Sequence, residues 1–494
     1  MNNELKLEQL RLAIHGVNAP FYIAGKYIPQ EPITLRFKDR TTFVVERAVN
    51  NLQQVAELQP LINRCSPATF GDKRRNRLDR MIRDAMQLMA ARSAFRVDNF
   101  DLEATGILDT IRRKMLPADS PSVTAELYSL NIYTTGGHFA PHKDTPRGKE
   151  MFGTLVVCLP SQFWRGQLTL THRGVVQQFN WSEDIRNQKQ ATQLHWSAFF
   201  GDVDHQIERV GAGARVTLTY LLRRDGASIP SRTIADAELP SVIEQTWRES
   251  LADPKFMPAG GVVGYPCCHL YHQDARFQVK HESLDFQSAN MLKGRDHLVA
   301  ASALHAGLSV TFAPYLFENC VDETWQLNRF PTPQEKRKLG RQMDLSDLES
   351  ALSIVGQSSE KVGDFGVEWL DPPPSSSHGI KADSNEGSED MPVAGRLHSC
   401  EYCEWGYFGN EASDVDFYIY AALHVRIPKV GEGVRAGIGP KVRVQSKLAK
   451  SSEKTLPVEK KKRAAKGPSE TEEKKTDRRS GKRSAKPTKR KRDA

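Results

Sequence analysis

Two histidines, an aspartate and an arginine give this sequence the residue types needed to hold a redox metal beside an anionic co-substrate. His142-Lys143-Asp144 places an imidazole and a carboxylate two residues apart. On an extended strand, or at its end, both side chains leave the same face and can reach one ion. A third ligand has to arrive from a distant strand, and His205, in Gly201-Asp-Val-Asp-His205-Gln-Ile, opens one. Two imidazoles and one carboxylate leave three coordination positions open, which suits a ferrous ion that also binds a bidentate oxo-acid and dioxygen. Ten residues beyond His205 stands Arg215, within Gly213-Ala-Arg215-Val-Thr217-Leu-Thr-Tyr. Its planar fork suits the distal carboxylate of 2-oxoglutarate. Thr217 shares the strand face of Arg215, and Tyr133 lies on the strand before the metal segment, so each can add a hydroxyl to the same carboxylate.

Such side chains need a frame of strands to bring them together. From Ala125 to Leu222 the chain reads as short β-rich runs: Leu127–Tyr133, Gly153–Leu159, Gln167–Thr171, Val175–Phe179, Leu194–Phe200, Gln206–Val210 and Arg215–Leu222. Strands at this spacing, separated by glycines and polar turns, predict an all-β jelly roll over a parallel α/β sheet. Upstream, alternation on both sides of Lys38-Asp-Arg40 predicts a hairpin over 33–47. Leu78, Met81, Ile82, Ala85 and Met89 fall at helical spacing and predict an amphipathic helix within 74–91; a second helix is expected from Leu102 to Met115. Residues 1–122 are therefore expected to be a hairpin and helices packed on the barrel, and 123–226 the barrel itself.

Residues 239–360 mix strand-like and helix-like runs, including Gly261–Gly264 and Asp344–Val355, and read as a mixed α/β unit. Pro, Ser, Gly and acidic residues dominate 371–395, the composition of a disordered linker. The chain is expected to return to the fold over 396–430, where Tyr402–Ile427 is aromatic and alternating, and to become a disordered basic tail over 431–494.

Composition narrows the class. Of 494 residues 39% are hydrophobic and 26% charged, ordinary values for a globular protein, and no run of about 18 apolar residues occurs. The formal charge of +9 belongs to one end. Residues 441–494 carry 21 Lys+Arg against 7 Asp+Glu, which leaves 48 against 53 in residues 1–440. The folded part is mildly acidic, so nucleic-acid contact is expected only through the tail. Its clusters Lys460-Lys-Lys-Arg463, Arg478-Arg479 and Lys489-Arg-Lys-Arg492 have the form of nuclear import signals. Otherwise the expected setting is cytoplasmic, with no membrane. The seven cysteines are odd in number and scattered, which favours reduced thiols.

Two other motifs weigh less. His272-Gln273-Asp274 is a second His-x-Asp, but no strand bearing a histidine and then an arginine follows it, and it reads as surface or structural. His398-Ser-Cys400-Glu-Tyr-Cys403 holds one Cys-x-x-Cys without a second pair, and an incidental thiol pair is expected over a zinc site.

Residues 125–222 resemble the prolyl 4-hydroxylase-like branch of the Fe(II)/2-oxoglutarate-dependent dioxygenases. The resemblance rests on Leu127-Tyr-Ser-Leu-Asn-Ile-Tyr133-Thr-Thr-Gly-Gly137-His-Phe-Ala-Pro141-His142-Lys-Asp144-Thr, then Gly153-Thr-Leu-Val-Val, Gly166-Gln-Leu, His205 and Arg215. It implies a double-stranded β-helix with iron on His142, Asp144 and His205 and 2-oxoglutarate on Arg215. It further implies dioxygen as oxidant, ascorbate as a candidate reductant, and hydroxylation of a protein side chain with release of succinate and CO2. Cys65-Ser-Pro-Ala-Thr-Phe-Gly71, Leu292-Lys-Gly-Arg-Asp296 and Gly409-Asn-Glu-Ala412 look like segments of a group of long, chiefly fungal proteins that carry this domain. Two features depart from the family pattern. Phe139 stands where many prolyl hydroxylases have tyrosine, and residues 185–193 insert a polar loop, read as a tolerated surface loop. The alternative function is a non-catalytic barrel serving as a scaffold in the nucleus.

Overall fold

The computed structural model describes residues 2–72, 75–91, 94–117, 120, 122–148, 150–224, 241–274, 282–318, 323–327, 359–361, 367–371, 400–401, 403–404, 407–408 and 416–437. The expected helix Asp344–Val355, His398, and residues 372–395 and 438–494 lie outside them.

Two antiparallel sheets enclose one core. The larger runs, in spatial order, Tyr22–Tyr27, Leu194–Phe200, Met151–Cys158, Val210–Arg224, Val123–Thr134, Met86–Met89 and Ser66–Pro67. The smaller runs Val175–Phe179, Leu168–His172, Asp204–Ile207, His138–His142 and Arg83–Asp84. Alternating side chains from both sheets meet between them: Tyr133, Val156, Cys158 and Phe199 from one, Phe139, Leu168, Leu170 and Ile207 from the other, while Leu130, Ile132, Leu155, Val157 and Val216 face the outer side of the larger sheet. Helices Asn51–Ile62 and Ile107–Met115 cover the outer side of the larger sheet at its two longest strands. Met151–Cys158 and Leu194–Phe200, inner strands of this sheet, are buried along their whole length rather than at every second residue. The arrangement is consistent with the expected all-β jelly roll.

The hairpin expected over 33–47 is present as Thr34–Phe37 paired with Thr42–Val44. The helix expected within 74–91 is not. That stretch forms strands Arg75–Arg77, Arg83–Asp84 and Met86–Met89. Leu78 and Met81 are 59% and 64% exposed, so the residues at helical spacing never form a buried stripe. Arg83–Asp84 instead pairs with His138 and Phe139, and Met86–Met89 with Ser129–Ile132, so edge pairing overrides a local periodicity. The second helix begins at Ile107 rather than Leu102, because Gly106 takes φ 73° and interrupts the turn before it. The first residues of the polar insertion, 185–187, complete helix Trp181–Asn187, which buries Trp181 and Ile185.

A third sheet builds the second core, and with it the second unit of the fold, in the order Ser359–Lys361, Glu323–Leu327, Ser309–Glu318, Asp416–Ile427, Gly261–Pro266 and Val367–Trp369. Helices Val242–Ala252 and Gly294–His305 pack on it. Helix Asn2–His15 joins this core rather than the barrel, since Leu7, Leu10 and Ile14, one face at spacings of three and four, lie in one cluster with Ile243 and Trp247. Among the described residues no helix is long and apolar enough to cross a membrane.

Residues 431–437, expected in the tail, belong to the described fold. Arg435 is fully buried and donates to the carbonyls of Leu251, Asp253, Phe256, Met257 and Pro428 at 2.9–3.1 Å. It therefore ties the end of the fold to the turn after helix Val242–Ala252. Arg435→Met leaves those carbonyls without their donor and should lower unfolding free energy by about 3 kcal/mol. A urea midpoint equal to the parent's would contradict this role.

Candidate active site

The paired strands His138–His142 and Asp204–Ile207 set His142 directly opposite His205. Asp144 follows two residues later and is tied back by its backbone N–H, which donates to the Gly201 carbonyl at 3.1 Å. The three side chains converge, with one ligand atom from each lying within 4.8 Å of the others. His205 Nε2 stands 3.7 Å from Asp144 Oδ1. All three residues are buried.

The surroundings prepare each group for a cation. His142 Nδ1 lies 2.8 Å from the Ala140 carbonyl, and His205 Nδ1 lies 3.0 Å from the Val203 carbonyl. A carbonyl only accepts, so each Nδ1 carries the proton and each Nε2 keeps a free lone pair. Burial, and then the neighbouring His205, hold the pKa of His142 well below the ordinary histidine value, so its ring stays neutral. Thr154 donates its hydroxyl to Asp144 Oδ2, which leaves Oδ1 facing His205.

Phe139 stacks on His142 with ring centroids 3.6 Å apart, so the position that lacks a tyrosine hydroxyl supplies an apolar wall. Phe199 closes on His205 at 4.7 Å. Arg83, buried, lies 4.5 Å over the Phe139 ring and donates to the Thr69 carbonyl and to Asn131 Oδ1. Arg83 carries no signal in the sequence, because the spacing of its segment predicts a helix. Thr154 and Trp181 carry none either, since neither stands in the spacing that marks the candidate ligands.

Arg215 sits opposite Tyr133 in the pairing of Val210–Arg224 with Val123–Thr134. It is 1% exposed, and none of its three guanidinium nitrogens has a hydrogen-bond partner. Its guanidinium carbon lies 5.4 Å from the Trp181 ring and 5.7 Å from the Tyr133 ring. Burial lowers its pKa. An unpaired buried guanidinium is a costly arrangement that a bound carboxylate would relieve. Thr217, on the same strand face, is also buried and stands opposite Asn131 and Cys158. Gly166, at φ 71°, packs beside Arg215, and a Cβ there would touch the arginine Cδ at 3.6 Å and clash with Val210 Cγ2 at 2.8 Å.

The structure thus brings His142, Asp144 and His205 together at one point and Tyr133, Arg215 and Thr217 onto one stretch of paired strands. Among the described residues one other cluster has metal-ligand atoms at similar distances, formed by His172, Asp202 and His269. His272 belongs to neither and lies on strand Tyr271–Asp274 of the second unit.

His172 gives this region a pH dependence. Burial, with His269 as the second cause, lowers its pKa to about 3. A histidine in the unfolded chain binds a proton near pH 6.5. Between about pH 6.5 and 3 the unfolded state therefore holds a proton that the fold excludes, and stability present at neutral pH is lost as pH falls. The urea midpoint is expected to be lower at pH 5 than at pH 7.5, and His172→Phe should flatten that difference; an unchanged slope in the variant would assign it to other groups.

No protein-family model matches the chain, and no curated protein matches it. Solved structures do. A prolyl-4-hydroxylase from Pseudomonas putida is 16% identical, with 44% of this chain and 100% of that one covered and a TM-score of 0.26. A prolyl hydroxylase from Trichoplax adhaerens, in complex with a hypoxia inducible factor oxygen degradation domain peptide fragment, is 13% identical over 45% of this chain and 91% of that one, with a TM-score of 0.25. An oxidoreductase of the 2OG-Fe(II) oxygenase family from Burkholderia pseudomallei is 15% identical over 36% and 81%, with a TM-score of 0.21.

Proposed function

We propose that this chain is an Fe(II)- and 2-oxoglutarate-dependent dioxygenase that hydroxylates a protein side chain, with a prolyl residue as the first class to test. The observation that carries the reading is the pairing of two features in one barrel: three buried ligand atoms within 4.8 Å, and a buried arginine whose guanidinium has no partner. His142, Asp144 and His205 would hold the iron through two neutral imidazoles and one carboxylate. Arg215 would orient the oxo-acid by its distal carboxylate, with the hydroxyls of Tyr133 and Thr217 beside it. Phe139 and Phe199 keep water from the imidazole rings. Iron, 2-oxoglutarate and dioxygen together supply the oxidation of an unreactive C–H bond, with succinate and CO2 released. A scaffold that had lost catalysis would gain nothing from keeping an unpaired arginine buried.

The test is succinate formation by the purified chain with ferrous iron, 2-oxoglutarate and ascorbate, first alone and then with proline-containing peptides. Turnover of 2-oxoglutarate without added substrate is expected to be slow and measurable. Its complete absence, with all peptides inert, would favour the scaffold. For the tail we propose nuclear import, from its basic clusters. Truncation after Gly437, which spares Arg435, should shift a fluorescent fusion to the cytoplasm; an unchanged nuclear signal would remove the proposal.

A further inference from the structure

The cluster of His172, Asp202 and His269 joins the barrel to the second unit at the turn that precedes His205. Asp202 lies in residues 201–203, between strands Leu194–Phe200 and Asp204–Ile207. The residues flanking it hold two of the three proposed ligands: the Gly201 carbonyl accepts from the Asp144 backbone N–H at 3.1 Å, and the Val203 carbonyl accepts from His205 Nδ1 at 3.0 Å. The Asp202 side chain is gripped by the second unit. Lys293 Nζ donates to its Oδ1 at 2.7 Å, while His269 Nδ1 and the Leu270 N–H both donate to Oδ2 at 3.0 Å.

That grip is itself braced. Lys293 Nζ also donates to the Leu270 carbonyl at 2.7 Å, and Asp296 accepts from the backbone N–H of Cys268 and of His269 and from the Tyr271 hydroxyl. The barrel returns the contact through His172, whose ring stacks on His269 at 4.4 Å and whose Nε2 lies 3.1 Å from the Cys268 carbonyl.

A second metal site is the competing reading, and the geometry weighs against it. Lys293 already places a cation 2.7 Å from Asp202, and His269 Nδ1 is committed to the same carboxylate. The two imidazole planes lie 21° apart in a stack, whereas one ion would have to lie near the plane of both rings.

We infer that Asp202 and Lys293 are positioning residues, through which the second unit holds residues 201–203 and so presents Asp144 and His205 to the metal. This rests on the ligand assignment above. It also gives the second unit a task in the reaction: it completes the metal centre without touching it. Partners of this kind that orient ligands commonly change metal affinity by about ten- to a hundredfold when removed.

The experiment compares the full chain with Lys293→Met and with Lys293→Met/Asp202→Asn; the double variant buries no unpaired carboxylate and so stands in if the single one unfolds. Co(II) is titrated by its visible absorption, and amide exchange is followed in the metal-free chains. The expected result is one Co(II) per parent chain, about tenfold weaker binding in the variants with a changed absorption band, and faster exchange of the Asp144 and Val203 amides. Lys293→Arg should recover most of the affinity. Parent-like Co(II) binding and amide exchange in a folded variant would overturn the inference, and so would two Co(II) per parent chain with one lost in Asp202→Asn. The ligand assignment fails separately, if His142→Ala binds Co(II) as the parent does.

Discussion

Arg215→Leu should change two measurements in opposite directions. With 2-oxoglutarate present, loss of a bidentate, charge-assisted contact in a buried site should weaken co-substrate binding by about 3–4 kcal/mol, roughly a few hundredfold in KM. Without it, the same substitution removes a buried guanidinium whose three nitrogens have no partner, so the apo chain should become more stable rather than less. The thermal midpoint with and without 2-oxoglutarate separates these effects: the parent rises on adding the oxo-acid and the variant does not. A variant less stable than the parent in the apo state, with an unchanged KM, would make Arg215 a structural residue. Arg215→Lys keeps the charge and loses the fork, and should fall between them.

His142→Ala carries the largest expected loss. It removes one of the three proposed ligands from a site where the other two are held by Thr154 and the Val203 carbonyl, so the remaining pair should not close around the ion. Iron binding should weaken by more than about a hundredfold, since even partners that only orient ligands are worth ten- to a hundredfold. Turnover of 2-oxoglutarate should fall to background. Because His142 is neutral by burial, the cavity left by alanine is not a lost charge pair, and the chain should remain folded, with Phe139 losing its stacked neighbour. Retained turnover and retained iron in a folded His142→Ala chain would remove the dioxygenase reading altogether. The two variants fail differently, one through the metal and one through the oxo-acid, so together they test both halves of the proposal.

The residues that could do chemistry were legible in the sequence because their signal is local. His142 and Asp144 stand two apart, Arg215 and Thr217 two apart, and a strand has a period of two, so each pair shares a face whatever the rest of the chain does. Strands Val175–Phe179 and Leu194–Phe200 were readable to the residue, since alternation and turn residues bound them on both sides. The stretch 74–91 failed for the same kind of reason. Its helical spacing is also a local signal, but the strand edges that capture it, at His138–Phe139 and Ser129–Ile132, lie 40–56 residues away.

Only the tertiary structure decided what surrounds the site. That the arginine opposite Tyr133 has no partner is a property of the packed state, as are the placement of Arg83 over Phe139 and the approach of Trp181 to Arg215. So is the joining of Asp202 to Lys293, 91 residues later in the chain. The sequence by itself determined which side chains are proposed for a metal and an oxo-acid, because that proposal starts from residue type and a repeat of two. Which of them lie buried, unpaired or braced depends on contacts between segments far apart in the chain, and no local pattern records those.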